Sequence, residues 1–485
     1  MVTTVAQLER RSRARLPAPM GRSMNLATDT IRAAPGSGGA PSAAPGASRR
    51  HVLLLGTPAA LLASCGGVGR SEAPAGAKLP PSRLDLWPIA EGKALDNLLE
   101  RFRANAPQIT VNREDGTSLT KVQAALAAGT PPDVAGAIIA NLGDIISRGL
   151  AESLTQLLKG QRGWQPEGIP PGLRAVHSFR GELLASPYVT NTTPIAINLE
   201  LLERANLKLP PATWTYDMLA DYAVGMTRRS GADTMYWGYA APFQADFTAT
   251  NDFNSILNSF GGSYVDAAGE KAAFAGPAGQ AALDWLVSLV RSKQVSPVPW
   301  PAEWLAQSGP LGARGRAFAA GASGGAAMIP LETGGLKPVE QTASFRFQVV
   351  LPPRKAKMAN HASAGSWFIV KGAPHRDAAV EFIRFAALPE ELARWALEQE
   401  RIPPHDAAAA RPEWQDYEKR KPAMAIYREA AKGAVTYPAI GGWGDARAAV
   451  ADAIASALQG TATPRAALEE AARLADAAFA RARSG

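Results

Sequence analysis

One cysteine, Cys65, stands in 485 residues, so no internal disulfide and no cysteine-based metal site is available. Histidine is nearly as sparse. His51, His177, His361, His375 and His405 include no HExxH and no paired spacing for a metal, so neither a metal nor a cofactor is expected. No apolar run approaches the ~20 residues that crossing a bilayer needs. A Walker-type phosphate loop and an internal repeat are both missing. A strong basic excess is missing too, despite a net charge of +8. Eight arginines and two acids fall before residue 65, which leaves 43 bases against 41 acids in the rest. Nucleic-acid binding needs a basic patch on the folded part, and none is visible, so that partner class is set aside.

What is present begins with a leader. Ser48-Arg49-Arg50-His51-Val52-Leu53-Leu54 puts two arginines directly before a short apolar stretch, and Leu62-Ala63-Ser64-Cys65 closes it. Positive n-region, short h-region and small residues at the cut are the layout of a secretory signal. The arginine pair resembles the twin-arginine type. The last four residues resemble a lipobox that makes Cys65 a lipidated N-terminus. Gly56 and Pro58 interrupt the stretch and argue against a spanning anchor. Residues 1–47 fit no signal and read as a disordered or mis-annotated extension, with Met24 as an alternative start. Residues 66–82 are rich in Gly, Ala, Pro and Ser and read as a flexible tether. The chain is therefore expected to be exported and held to the outer face of the cytoplasmic membrane through lipid on Cys65.

From Arg83 onward the pattern alternates strands and helices. Leu84–Trp87 reads as a strand, and Leu95, Leu98, Leu99 and Phe102 form one helical face. Ile109–Val111 and a strand opened by Pro132-Asp133-Val134 follow, each before another helical stripe. Such βαβα order predicts an α/β layered fold with a largely parallel sheet. Leu283, Leu286, Val287 and Val290, then Val450, Ala453, Ile454 and Ala457, then Leu468, Ala471, Ala475 and Phe479, mark later helices.

Several segments in order carry a family resemblance. They are Ala127–Val134 (AAGTPPDV), Gly149–Leu154 (GLAESL), Gly181–Pro187 (GELLASP, with Leu184 where a tyrosine is usual) and Ile197–Leu202. Pro211–Leu219 (PATWTYDML), Phe318–Gly321 and Ala379–Ile383 complete the series. Over about 84–410 the chain resembles the extracellular solute-binding proteins of ABC importers, in the maltose-binding-protein-like cluster of sugar-binding lipoproteins. The resemblance implies a two-lobed periplasmic-binding-protein fold with hinge strands and an interlobe ligand cleft. It places lobe 1 at 83–190 and 322–360, and lobe 2 at 195–318 and 366–485. Hinges are expected near Val189–Ile195 and Ala364–Phe368. The partners it implies are a small-molecule solute, expected to be a saccharide, and the permease subunits of an ABC transporter. The chain itself is expected to be a monomer.

Sugars offer apolar C–H faces to aromatic rings and hydroxyls to Asp, Glu, Asn, Gln or Arg. Trp87 ends the first strand, where an open α/β sheet places its crevice, and Glu91 shares that loop. Tyr188 and Asn191 lie at the first hinge and Trp367 at the second. Trp300 and Trp304 sit in a Pro-rich loop, Glu332 follows a strand, and Trp443 lies in Gly441-Gly442-Trp443-Gly444. These nine are the candidate ligand contacts, Trp443 foremost because glycines let a backbone approach a ligand closely.

Catalysis finds little support. Gly321-Ala322-Ser323-Gly324-Gly325 matches Gly-x-Ser-x-Gly, but a nucleophile elbow runs strand–Ser–helix, and here the order is reversed. No catalytic residue is therefore expected. An exported carbohydrate-active enzyme is the alternative reading, as is the same fold holding a non-sugar solute such as a glycerol phosphodiester.

Overall fold

The computed structural model describes residues 80–89, 92–242, 247–306 and 311–484, all within one compact unit. The leader, Cys65 and Glu91 fall outside these residues.

The first sheet grows from β1 (Ser82–Trp87), whose Leu84 and Leu86 point inward while Arg83 and Asp85 stay outside. The helix α1 (Gly92–Asn105) lays Leu95, Leu98, Leu99 and Phe102 on its buried face. β2 (Ile109–Arg113) pairs parallel with β1, Ser82 opposite Ile109. α2 (Leu119–Ala127) is capped by Ser118, which accepts from the Lys121 N–H, and ends before Gly129 at φ +73°. β3 (Val134–Ile138) pairs parallel with β1, and α3 (Ile139–Ser147) buries Leu142, Ile145 and Ile146. The βαβα order read from periodicity is thus the order formed, but the expected largely parallel sheet is not, since antiparallel pairings predominate among the described strands.

Asp133, at the start of β3, ties three elements together. It is fully buried. One carboxylate oxygen accepts from the His375 N–H at 2.6 Å. The other accepts from the Asp85 N–H at 2.7 Å and lies 3.0 Å from His375 Nδ1. Asp85, Asp133 and His375 are also the one group of three possible metal ligands among the described residues. The Asp133 oxygens already carry these bonds, so the cluster reads as a structural knot.

Two strands lead out of this sheet. β4 (Ser186–Thr192) continues through Thr193-Pro194 into β5 (Ile195–Asn198) of a second sheet. There β5 lies between β6 (Met328–Pro330) and β7 (Phe347–Val350), antiparallel to both. The long β8 (Asn360–Ile369) joins both halves. Its Gly365–Ile369 end pairs with β3, and its middle pairs with β4. Its Asn360-His361 end pairs with β9 (Ala434–Val435). Gly365 is needed at the crossing, because a Cβ there would lie 2.4 Å from Tyr188 Oη.

This topology corrects the expected lobe boundaries. β6 and β7 pair with β5, so 322–360 packs with 195–318 and not with 83–190. Helices α4 (Arg376–Ala386) and α5 (Pro389–Gln399) bury Phe382 and Trp395 in the core of the first sheet. The return to the second half comes later, with α6 (Trp443–Gln459) and α7 (Pro464–Ser484). The first hinge falls inside the expected span. On β8 the crossing lies at about 361–364, ahead of the expected Ala364–Phe368, because residues 365–369 already pair with β3.

Each sheet is covered on both faces. Phe102, Trp367, Phe382 and Trp395 fill one side of the first, and Ile145, Ile146 and Phe368 the other. Phe253, Leu283, Trp443 and Phe479 fill one side of the second, and Trp300, Phe318 and Trp414 the other. Among the described residues no helix is long and apolar enough to cross a membrane.

Candidate functional site

Polar side chains concentrate where β4 and β8 pass between the lobes. Most are satisfied by the fold. The Thr192 N–H donates to Thr333 Oγ1 at 3.1 Å, and Thr192 Oγ1 donates to the Tyr427 carbonyl at 2.9 Å. The Asn360 amide exchanges two bonds with the Thr193 backbone, at 2.7 and 2.9 Å. Beside these lies an incomplete set. Asn191 Nδ2 donates to Ser363 Oγ at 3.2 Å, and Ser363 donates to Glu332 Oε1 at 2.7 Å. Asn191 Oδ1 and Thr190 Oγ1 are buried without a hydrogen-bond partner. Buried polar atoms nearly always find partners, and these two lack one where the strands cross between the lobes.

A second polar cluster faces β8 from the helix Phe247–Ser259. Asn254 Nδ2 donates to His361 Nδ1 at 3.1 Å, which leaves the neutral ring's proton on Nε2. Tyr437 Oη meets Thr250 Oγ1 at 2.7 Å and donates to Asn251 Oδ1. Its ring lies 4.7 Å from that of His361, and the Arg447 guanidinium stands 5.8 Å away over its face. Burial pushes the Tyr437 hydroxyl up to about 12 and the His361 imidazole down to about 3. Both are therefore neutral at neutral pH.

Next to Glu332 a cavity of about 560 Å³ opens. Trp300, Arg314, Glu332 and Arg401 line it. Arg314 forms a two-pronged pair with Asp252, Nη1 to Oδ1 at 3.0 Å. Arg401 has no carboxylate partner among the described residues. The groups gathered here are a carboxylate, two guanidinium forks, an amide and hydroxyls, a donor–acceptor set for hydroxyl-rich or anionic solutes. Among the described residues no nucleophile–base pair accompanies them. Ser323 is exposed, with a helix before it and β6 after it, as its sequence context implied.

The nine candidate contacts divide sharply. Asn191 and Glu332 meet through Ser363, and Trp300 lines the same cavity. Trp300 is otherwise buried, donating to the Ala241 carbonyl, with Trp304 edge-on at 5.6 Å. Trp304 donates to the Gly324 carbonyl and is a core residue. Tyr188 and Trp367 are 1 % exposed and stack at 4.7 Å against each other and near Trp395, so they pack the first lobe. Trp87 is half-buried, with Lys121 Nζ 4.4 Å above its ring.

Trp443 is the clearest correction. It is 1 % exposed and starts α6 beneath Tyr264 and Tyr437. Two of the glycines before and after it serve chain-to-chain contact. A Cβ on Gly442 would lie 2.6 Å from the Ala478 carbonyl oxygen, and one on Gly441 2.8 Å from Ser147 Oγ. Sequence reasoning missed Ser363, Tyr437, Asp252, Arg314 and Arg401. None sits in a distinctive motif, and only the strand pairing and the helix Phe247–Ser259 bring them to the hinge.

The profile of the family described as bacterial extracellular solute-binding protein matches residues 97–422. No curated protein matches the chain. Solved structures do. The Listeria monocytogenes ABC substrate-binding protein in complex with cycloalternan superposes with a TM-score of 0.69 at 21 % identity, over 82 % of this chain and 99 % of that one. The cyclic α-maltosyl-1,6-maltose binding protein of Arthrobacter globiformis gives 0.70 at 21 %, over 83 % and 100 %. UgpB of Mycobacterium tuberculosis with glycerophosphocholine gives 0.68 at 18 %, over 84 % and 99 %. At these identities the likeness is one of fold.

Proposed function

The chain belongs to the bacterial extracellular solute-binding protein family, and from that premise we propose that it is the solute receptor of an ABC importer, taking a sugar or sugar derivative between its lobes. The observation that carries the reading is the incomplete polar row at the hinge. Asn191, Ser363 and Glu332 are linked in series, yet the Asn191 carbonyl oxygen is buried without a partner. Two ligand hydroxyls, one donating to that oxygen and one to Glu332, complete the row and draw the two lobes onto the ligand. Arg314, Arg401 and Trp300 supply the adjacent wall. The saccharides in two of the structural relatives support the same solute class. The role is binding and hand-over to permease subunits, without turnover, by a monomer.

A thermal-shift screen over mono-, di- and oligosaccharides tests this, since a ligand that binds only the folded state raises apparent stability. Stabilisation by at least one saccharide is expected, and a flat screen would sink the sugar reading. With that saccharide, Glu332→Ala is expected to weaken binding 10- to 100-fold, the scale of one or two hydrogen bonds to a charged group. Unchanged calorimetric affinity would remove Glu332 from the site.

The reading includes export on the Ser48–Cys65 leader and anchoring through lipid on Cys65. Expression of Cys65→Ser is expected to move the protein from the detergent phase to the aqueous phase on phase separation. Equal partition of both forms would refute the anchor.

One observation favours a second solute class. Arg401 lines the cavity without an ion pair among the described residues, and a guanidinium fork suits a phosphodiester. Glycerophosphocholine, the ligand of one relative, belongs in the same screen.

A further inference from the structure

A second cavity lies away from the hinge. It measures about 730 Å³ and is lined by Arg229, Trp237, Arg291, Gln294, Pro299 and Gln459, among others. β6 runs from Met328, opposite Ile197, to Pro330, opposite Ile195 beside the crossing. Trp237 pairs with Ala326, before β6 begins, so this cavity sits at the end of the second sheet opposite the hinge.

Its lining contains two arginines and no carboxylate. Neither arginine forms an ion pair among the described residues. Both are held in place by backbone carbonyls instead. Arg229, on the hairpin strand Arg228–Ser230, donates Nη2 to the Gln294 carbonyl at 2.9 Å. Arg291, the last residue of the helix Pro277–Arg291, donates Nη1 to the Gln459 carbonyl at 3.0 Å. Arg291 also lies flat on Gly460, where a Cβ would stand 2.8 Å from Cζ and from Nη1. One carbonyl uses one of the five N–H donors of a guanidinium. Both side chains are exposed, and each fork keeps most of its donors for a guest.

We propose that this cavity is a second ligand site, distinct from the hinge site, that takes a phosphate monoester. Two forks in one cavity lining without a counter-ion suit a group with three acceptor oxygens and up to two negative charges. A carboxylate occupies one fork. Trp237 and Pro299 offer an apolar wall to whatever carries the phosphate. The same group occurs on soluble phosphate esters and on phosphatidic acid in a membrane surface.

Isothermal titration of the purified protein with inorganic phosphate and with glycerol 3-phosphate tests the site, with flotation on phosphatidic acid and phosphatidylcholine vesicles as the lipid arm. Saturable binding is expected, weakened at least tenfold in Arg229→Gln and in Arg291→Gln, with saccharide binding at the hinge unchanged. Binding of the free esters alone assigns a soluble source, and flotation on phosphatidic acid alone assigns the lipid. Neither response, or a phosphate affinity equal in wild type and both arginine variants, overturns the proposal. In the latter case the phosphate lies elsewhere, as at Arg401.

Discussion

Asp133→Ala is expected to destabilise the protein by about 3–5 kcal/mol, seen as a lower urea midpoint and a melting temperature reduced by several degrees. The carboxylate is fully buried and accepts from two backbone N–H groups, those of Asp85 and His375, at 2.7 and 2.6 Å. Each donor left unpaired in the interior costs about 1–3 kcal/mol. The loss also frees the first turn of α4, since His375 is the residue before Arg376–Ala386. β1, β3 and α4 thus lose their common tie at one point. Asp133→Asn keeps one acceptor oxygen but turns an amide N–H₂ toward a donor, so most of the loss is expected there too. A loss below about 1 kcal/mol in the alanine variant would mean that the knot is not what holds these elements.

This tie shows what the sequence carried and what it did not. Pro132-Asp133-Val134 was legible as the start of a strand and as part of a family pattern. That the aspartate is an acceptor for two distant N–H groups, 48 and 242 residues away, is a property of packing. The same division runs through the fold. Helical stripes such as Leu95–Phe102 and Leu468–Phe479 were readable because periodicity of 3.6 is local. The assignment of residues 322–360 to a lobe was not, because it depends on whether β6 and β7 pair with β5, and no local pattern encodes a partner.

The site divides in the same way. Asn191 and Glu332 are polar residues beside a strand end or hinge, and their position alone made them candidates. The aromatics were ambiguous, since a tryptophan in a loop and a tryptophan packed from a loop look alike in sequence. Trp443 illustrates it. Its neighbouring glycines do permit close approach, but what approaches is the backbone near Ala478 and the side chain of Ser147. Arg401 had no signal at all. It follows the helix Pro389–Gln399 in the first lobe's core and reaches the cavity only because Ile402 pairs with Thr190 on β4.

Lowering the pH from 6.5 to about 4.5 is expected to remove roughly 5 kcal/mol of folding stability, mostly through two buried histidines. His177 is fully buried; Nδ1 donates to the Leu173 carbonyl at 2.6 Å, so Nε2 accepts from Ser366 Oγ at 2.7 Å. Burial holds its imidazole down to about 4. Burial, with the nearby Arg447 charge, holds His361 down to about 3. An unfolded chain protonates both near 6.5. Above that pH neither state binds the proton, and stability is at its full value. Below it the unfolded chain takes up two protons that the folded chain refuses, so stability falls by about 2.7 kcal/mol per pH unit. The loss levels off only below the folded values, near 4 for His177 and 3 for His361. Both residues bear on β8, His361 as part of it and His177 through Ser366. Because the folded chain keeps both rings neutral over this window, solute affinity is expected to hold until the unfolded chain becomes populated. His177→Gln removes one of the two protons, so the slope of stability against pH is expected to halve whatever the variant costs at neutral pH. Urea unfolding at pH 7.0, 6.0, 5.0 and 4.5 measures that slope, and an equal slope in wild type and variant would take His177 out of the account.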